Sequence, residues 1–310
     1  MAAGAVESVT TLPQRRPATR RRLAGHLTSY GFLAPYMVVY LVFLLVPVFW
    51  SLWLSLRQGG LLSPTTFVGL SNFVNVWSDE LFKTAVVNTL KYTALVVPLA
   101  MLLSLILALL IHEMHRFWQN VVKVALFLPM VSSVVALSII WKAILSPTRE
   151  APLNLLVGLI GIPPQNWLGN PQLVIPAIVA FEIWRGYGFW IILFLAGLDA
   201  IPLDLYDASR VDGANAWQIL WRITLPLLRP TFLFLSVMGL IWNFQLFDAV
   251  YMLTSGGPAN SSATVVWYVY RNAFHFEQLG YAATMGILLL LVILALTLIQ
   301  FRLVRADTEY

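Results

Sequence analysis

Long stretches of this chain run for about twenty residues with scarcely a charged side chain, and that feature limits what it can fold into. A bilayer hydrocarbon core about 30 Å thick is crossed by about 20 apolar residues of helix, and one aqueous core has no need of so many blocks of that length. Five blocks are clear, at about 30–54, 92–112, 124–145, 230–252 and 280–302. A sixth, at about 173–197, is apolar except for Glu182 and Arg185, which stand three apart and share a helical face. The segment 151–171 is also short of charge, but Pro152, Gly158, Gly161, Pro163, Pro164, Gly169 and Pro171 break it too often for a spanning helix. It reads as a loop outside the membrane.

Composition agrees, with 59% hydrophobic and only 11% charged residues, against about 25% charged in an ordinary soluble domain. The reading is therefore an all-α polytopic membrane protein with six transmembrane helices. The net charge of +5 matters through its placement. Arg15, Arg16, Arg20, Arg21 and Arg22 stand just before the first block, where a basic cluster meets anionic lipid and fixes orientation. A basic arm with no folded reader behind it gives no ground for expecting nucleic acid. Arg116, Lys123, Arg210, Arg222, Arg229, Arg302 and Arg305 fall on the same side as those arginines, whereas Arg57, Lys83, Arg149 and Arg271 on the other are offset by Asp79, Glu80, Glu150 and Glu277. The positive-inside rule then puts both termini in the cytoplasm. The first apolar run, Gly31 to Leu56, is too long for a cleavable signal core and reads as an uncleaved span. Asn72 to Phe82 reads as a short amphipathic helix at the outer face.

Several chemistries are excluded or disfavoured. There is no cysteine, hence no disulfide and no zinc thiolate site. No Gly-x-x-x-x-Gly-Lys-Ser/Thr loop is present to cradle nucleotide phosphates. His112 and His115 stand three apart, not the four that a helical zinc protease motif requires. No cofactor, metal or catalytic residue is expected on this chain.

The segment between the fourth and fifth blocks, 201–226, has a definite local reading. Pro202 suits a helix start, and Asp204 and Asp207 complement the positive end of the helix dipole. Gly213 can take the left-handed conformation that ends such a helix, Asp212 beside it can cap the next one, and Pro226 and Pro230 mark entry into the membrane. Ala208 and Ala214 leave little side chain around the turn. Helix, turn and helix are expected on the cytoplasmic face.

This segment resembles the EAA loop of binding-protein-dependent ABC importer permeases. Asp207, Ala208 and Ser209 stand for Glu-Ala-Ala, followed by Asp212, Gly213 and Ala214, and then by Ile223, Thr224, Leu225 and Pro226. A second match, Phe247 to Thr264 with Tyr270 to Phe274, resembles the maltose-type sugar permeases, and among them the larger partner of the heterodimer. Weaker echoes lie at Phe67 to Phe73, Asn88 to Leu90 and Leu195 to Leu198.

The resemblance implies the type I ABC importer permease fold over residues 30–304, with a basic arm at 1–29 and a tail at 305–310. It also implies a multi-pass protein of the bacterial cytoplasmic (inner) membrane, forming half of a path for a sugar or related polyol. Glycerol-3-phosphate or its diesters are the alternative cargo, and a secondary transporter is the alternative machine. The implied partners are a second homologous permease subunit, two ATP-binding subunits that hold ATP and Mg, an extracytoplasmic solute-binding protein, and membrane lipid. The coupling residues would be Asp207, Ala208, Ser209, Arg210, Asp212, Gly213 and Ala214. Candidates for the solute path are Glu182, Arg185, Tyr187, Asn243, Gln245, Asp248 and Tyr251, with Trp184 and Trp190 nearby. Two bland readings compete: Glu182 and Arg185 simply pair, and Asn243 and Gln245 hydrogen-bond between helices.

Overall fold

The computed structural model describes residues 19–60 and 64–303. Arg15 and Arg16 of the expected arm, and the expected tail at 305–310, lie outside the described residues. The chain divides into two units, Met1–Trp50 and Ser51–Tyr310. The first holds α1 (Thr19–Tyr40), a π-helical turn at Leu41–Leu45 and the start of α2 (Val46–Ser55). Tyr30–Ser55 is long and apolar enough to cross a bilayer.

The second unit opens with a two-stranded antiparallel hairpin, β1 (Arg57–Gln58) and β2 (Thr66–Phe67), with Arg57 opposite Phe67. It continues through α3 (Ser71–Ser78), α4 (Glu80–His112), α5 (Arg116–Val131), α6 (Val134–Ile144), α7 (Pro152–Gly158) and α8 (Val174–Asp199). Next come α9 (Leu203–Val211), α10 (Ala216–Ile219), a π segment at Leu220–Thr224, α11 (Leu225–Leu227) and α12 (Arg229–Phe244). The last elements are α13 (Asp248–Leu253), α14 (Val265–Tyr270), a π segment at Arg271–His275 and α15 (Leu279–Leu303). Among the described residues four helices are long and apolar enough to span, or up to six if each of two bent pairs is one span.

Four expectations are corrected in detail. The block expected at 92–112 is the last two thirds of α4, which starts at Glu80 because Asp79 caps it: its Oδ1 accepts from the Leu81 and Phe82 amides at 2.8 and 3.1 Å. Such a cap contributes about 1 kcal/mol. The same cap splits the helix expected at 72–82, and α3 ends at Ser78. The block at 124–145 is no straight span, since Ser132 and Ser133 leave the helical conformation and α5 and α6 meet at 96°. The block at 230–252 stops being helical at Phe244 and resumes at Asp248, leaving Gln245 to Phe247 unwound. The 151–171 segment holds only the short α7 and no spanning helix, and it gathers around Asn154, whose amide donates to the Ser146, Thr148 and Gln165 carbonyls while its Oδ1 accepts from the Trp167 indole.

α4 is the hub, packing on α8 and also on α12, while α5 also packs on α8. The close approach of α5 to α8 depends on Gly188, where a Cβ would collide with the Leu126 carbonyl. Two apolar clusters result. One centres on Tyr92, Phe181, Val250, Trp267 and Met285, the other on Ile111, Ile191, Phe194, Leu228 and Leu235. Between them lies a polar cavity.

Candidate functional site

The segment 201–226 folds largely as read. α9 follows Pro202 and carries Asp204 in its first turn and Arg210 in its last. Gly213 takes φ +81°, the left-handed region that disfavours L side chains by about 1–2 kcal/mol. There the Gly213 and Ala214 amides fold back onto the Arg210 and Ser209 carbonyls at 3.1 and 2.9 Å. The capping assignment was wrong. Asp212 closes α9, and α10 is capped by Asn215 in a reciprocal box with Gln218, each amide reaching the other's side-chain oxygen at 2.9 Å. Asp212 and Asn215 are both short Asx types, and the turn at Gly213 delays the second helix by three positions.

Asp207, Ala208, Arg210, Asp212 and Gly213 are exposed, Ala214 is half-buried and Ser209 is turned inward, its hydroxyl donating to the Tyr206 carbonyl at 2.7 Å. Asp207 and Arg210 pair in the open at 3.2 Å, an arrangement that contributes little on its own. More telling is the apolar surface around them: Val211 is 88% exposed, Leu203 73%, and Trp217 and Trp221, in edge-to-face contact, are also open to solvent. Exposed apolar groups gathered on so short a segment are what a contact with another molecule would cover. Sequence reasoning passed over them, although their lack of inward partners follows from the brevity of α9 and α10.

The cavity between the two clusters has a volume of about 330 Å³ and gathers Glu182, Arg185, Asn243, Gln245 and Asp248, with Trp190 and Trp242 in its wall. On α8 the lining residues Glu182, Arg185, Gly186 and Trp190 stand at i, i+3, i+4 and i+8, one stripe of a helix. Glu182 and Arg185 do pair, Nη2 to Oε2 at 2.9 Å, and they also line the cavity, so the two readings of them are compatible. Asn243 is buried and donates to the Gly239 carbonyl at 2.8 Å, which commits part of its amide to its own helix. Gln245 and Asp248 are exposed and line the cavity, Gln245 opening the unwound turn and Asp248 following it. Non-helical backbone at membrane depth is tolerated where it lines a polar space, and here the Leu246 carbonyl it frees accepts from the Thr264 hydroxyl at 2.7 Å.

Two candidates do not join this cavity. The Tyr187 ring packs against the second apolar cluster while its carbonyl accepts from Ser104 at 3.2 Å. Tyr251 sits beyond Asp248 among aromatic rings, in a separate recess. Trp184 packs on Trp141.

A polar junction that the sequence did not flag ties the hairpin side of the unit together. Asp79 Oδ2 accepts from the hydroxyls of Tyr268 and Tyr281, both at 2.7 Å. Burial pushes the Asp79 carboxyl up, but these two hydroxyls and the Phe82 and Leu81 amides outweigh it and hold it below the usual carboxylate range. Burial, and then the bond donated to Asp79, pushes the Tyr268 phenol up to about 12.

Apolar helices long enough to cross a bilayer, packed around a cavity lined by charged, amide and aromatic side chains, make a multi-pass membrane protein. Residues 100–306 match the inner membrane component of binding-protein-dependent transport systems, and the chain belongs to that family. It is similar to the lactose transport system permease protein LacF of Rhizobium radiobacter, 36% identical over 280 residues, which cover 89% of this chain and 93% of that one. It is also similar to the arabinooligosaccharides transport system permease protein AraP of Bacillus subtilis, 34% identical over 275 residues, covering 88% and 87%. Among solved structures, the bacterial alginate ABC transporter in complex with an alginate pentasaccharide-bound periplasmic protein has a chain that superposes with a TM-score of 0.82 at 26% identity, covering 94% of this chain and 98% of that one. The chain is thus a multi-pass inner-membrane permease.

Proposed function

We propose that this chain is one of two permease subunits of an ATP-driven importer for a saccharide, with Glu182, Arg185, Asn243, Gln245 and Asp248 lining its half of the path. The observation that carries the proposal is their convergence on one cavity beside an unwound turn. Amide and carboxylate groups read hydroxyls, and the Trp190 and Trp242 faces suit the C–H faces of a sugar ring. The transport of sugars by similar proteins supports the cargo class.

In this reading each bent helix pair is one span, six spans cross the bilayer, and both termini lie in the cytoplasm with the arginines. The exposed α9–α10 segment, from Asp207 to Ala214 with Val211 and Trp217, docks on an ATP-binding subunit that holds ATP and Mg. Its motion passes through Leu220–Thr224 into α12 and so to Gln245. A solute-binding protein delivers the cargo from outside. Arg185 is the one cation among the described cavity residues and is already paired with Glu182, which disfavours a phosphorylated cargo.

The test is to tag the chain in its own cell, purify it gently, identify what accompanies it and assay ATP hydrolysis. Recovery of a second permease subunit and an ATPase, with activity raised by a sugar-loaded binding protein, is the expected result. Recovery of the chain alone, moving solute without ATP, would replace the proposal with a secondary transporter.

A further inference from the structure

A column of aromatic rings runs away from the central cavity and ends in a second recess. Phe247, between the cavity-lining Leu246 and Asp248, stacks on Tyr251 with centroids 5.2 Å apart and planes 23° apart, and lies 5.0 Å from Tyr270. Tyr251 and Tyr270 meet nearly edge to face at 5.3 Å, and Tyr270 continues to Phe274 at 5.1 Å. The recess beside them has a volume of about 540 Å³, with Ser255, Asn260, Trp267 and Arg271 completing its wall. The Arg271 guanidinium stands over the rings of Trp267 and Phe276 at 5.3 and 5.1 Å.

Packing alone does not account for this arrangement. Tyr251 is 36% exposed and Phe276 49%, so large ring faces are left uncovered next to polar groups. The loop that forms the rim is held in a fixed shape: Ser255, Ala259 and Asn260 all have left-handed φ, and the Asn260 carbonyl accepts from Asn88 of α4 at 3.2 Å. Non-glycine residues persist in that region only when their surroundings dictate it. Exposed tyrosine faces beside hydroxyl, amide and guanidinium groups, in a preformed hollow, suit a ring that is apolar on its faces and rich in hydroxyls at its edge.

We propose that this recess is a second saccharide subsite, in which Tyr251 and Tyr270 take the ring and Arg271 donates to its hydroxyls, with Phe247 linking it to the central cavity. The proposal rests on the sugar-importer reading and deepens it. It also gives Tyr251 a place on the route that the central cavity denies it.

The chain has no cysteine, so Ser255→Cys, at the exposed rim, gives it a single site for a water-soluble maleimide. The full importer is isolated with its own subunits in nanodiscs, and labelling of this chain is timed with lactose, trehalose, maltose or arabinotriose present. The saccharide that the importer takes up is expected to slow labelling about fivefold at roughly 80% occupancy. Ser78→Cys, exposed and away from the recess, labels at an unchanged rate. Adding Tyr251→Leu with Tyr270→Leu abolishes the protection. If that double variant does not assemble, Arg271→Gln, which leaves the rings in place, should weaken it about twofold or more at the same occupancy arithmetic. Uptake of a saccharide without protection, or protection that survives these exchanges, overturns the subsite and leaves the importer reading intact. Neither uptake nor protection with any of the four probes removes both.

Discussion

The cavity between α8 and α12 and the α9–α10 segment solve opposite problems with similar residue types. In the cavity, the buried groups are satisfied: Glu182 and Arg185 pair at 2.9 Å and Asn243 bonds its own helix. On the segment, Asp207 and Arg210 pair in full solvent while Val211, Leu203 and Trp217 are left uncovered. The first region satisfies its buried charge internally, and the second leaves apolar surface uncovered, as the proposed docking requires. Substitutions of the buried, bonded groups of the cavity should therefore disturb folding as well as transport, and substitutions on the segment should disturb transport alone.

The largest effect is expected at Arg185. Arg185→Met leaves the Glu182 carboxylate buried without its partner, a change that costs about 3 kcal/mol at the low end for broken buried pairs. Purified yield and the unfolding midpoint should both fall sharply. Combining Arg185→Met with Glu182→Gln removes both charges and should restore most of the stability, since replacing a whole pair is often close to neutral. If the single variant is as stable as the parent, the cavity is wetter than the geometry implies and the contrast between the regions fails.

Gly213→Val comes next and tests the other half. It forces a β-branched side chain into φ +81° where no neighbouring atom lies within 4 Å of a Cβ, so the penalty is conformational, not steric. The turn should open, uptake should fall about tenfold or more for a strain near 1.4 kcal/mol, and the amount of inserted protein should stay the same. Normal uptake in this variant would remove the segment from the coupling path.

These two regions also differ in how far the sequence discloses them. The Gly213 turn was legible because glycine takes the left-handed conformation most readily and the helix starts and stops around it are local signals. The apolar blocks were legible because bilayer thickness sets their length. What was missed depends on direction or on distant partners. Tyr187 lies two residues from Arg185, about 200° around the helix, so the 3.6 period already excluded it from the stripe that Glu182, Arg185 and Trp190 share. The unwound turn after Phe244 leaves no trace in an apolar window, because what stabilises it is Thr264, eighteen residues further on. The bend at Ser132 is hidden for the same reason, since averaging over twenty apolar residues erases two local dihedral changes. Asp79 read as a loop charge because its tyrosine partners lie 189 and 202 positions away.

A smaller effect separates two amides within the cavity. Gln245 is exposed to the cavity at the end of α12, while Asn243 is buried and committed to Gly239. Gln245→Ala should change uptake rate or sugar preference several-fold with the unfolding midpoint unmoved, on the scale of one hydrogen bond at about 1 kcal/mol. Asn243→Ala should lower the midpoint as well. Equal effects on stability from both would place Gln245 in packing, not in the path.

The smallest effect on transport is expected at Asp79, which is satisfied like the cavity pair but stands nearer water. Asp79→Asn removes a charge that accepts two phenol bonds and two amides, and at neutral pH it should lower stability by about 1.5 kcal/mol, the low end for hydrogen bonds to charged groups. The pH dependence identifies the cause. Because folding holds this carboxyl below its ordinary value of 3.8, its stabilisation is present above that pH and is lost as pH falls through the depressed folded value. The gap between parent and Asp79→Asn should therefore be constant from about pH 7 to 5 and close below pH 4. At the alkaline end the Tyr268 contribution has the opposite sign: it is complete below pH 10 and lost as pH rises towards about 12. Unfolding midpoints of the two proteins across that range give the measurement, and a gap that persists unchanged at pH 3 would mean that Asp79 acts through its shape and not through its charge.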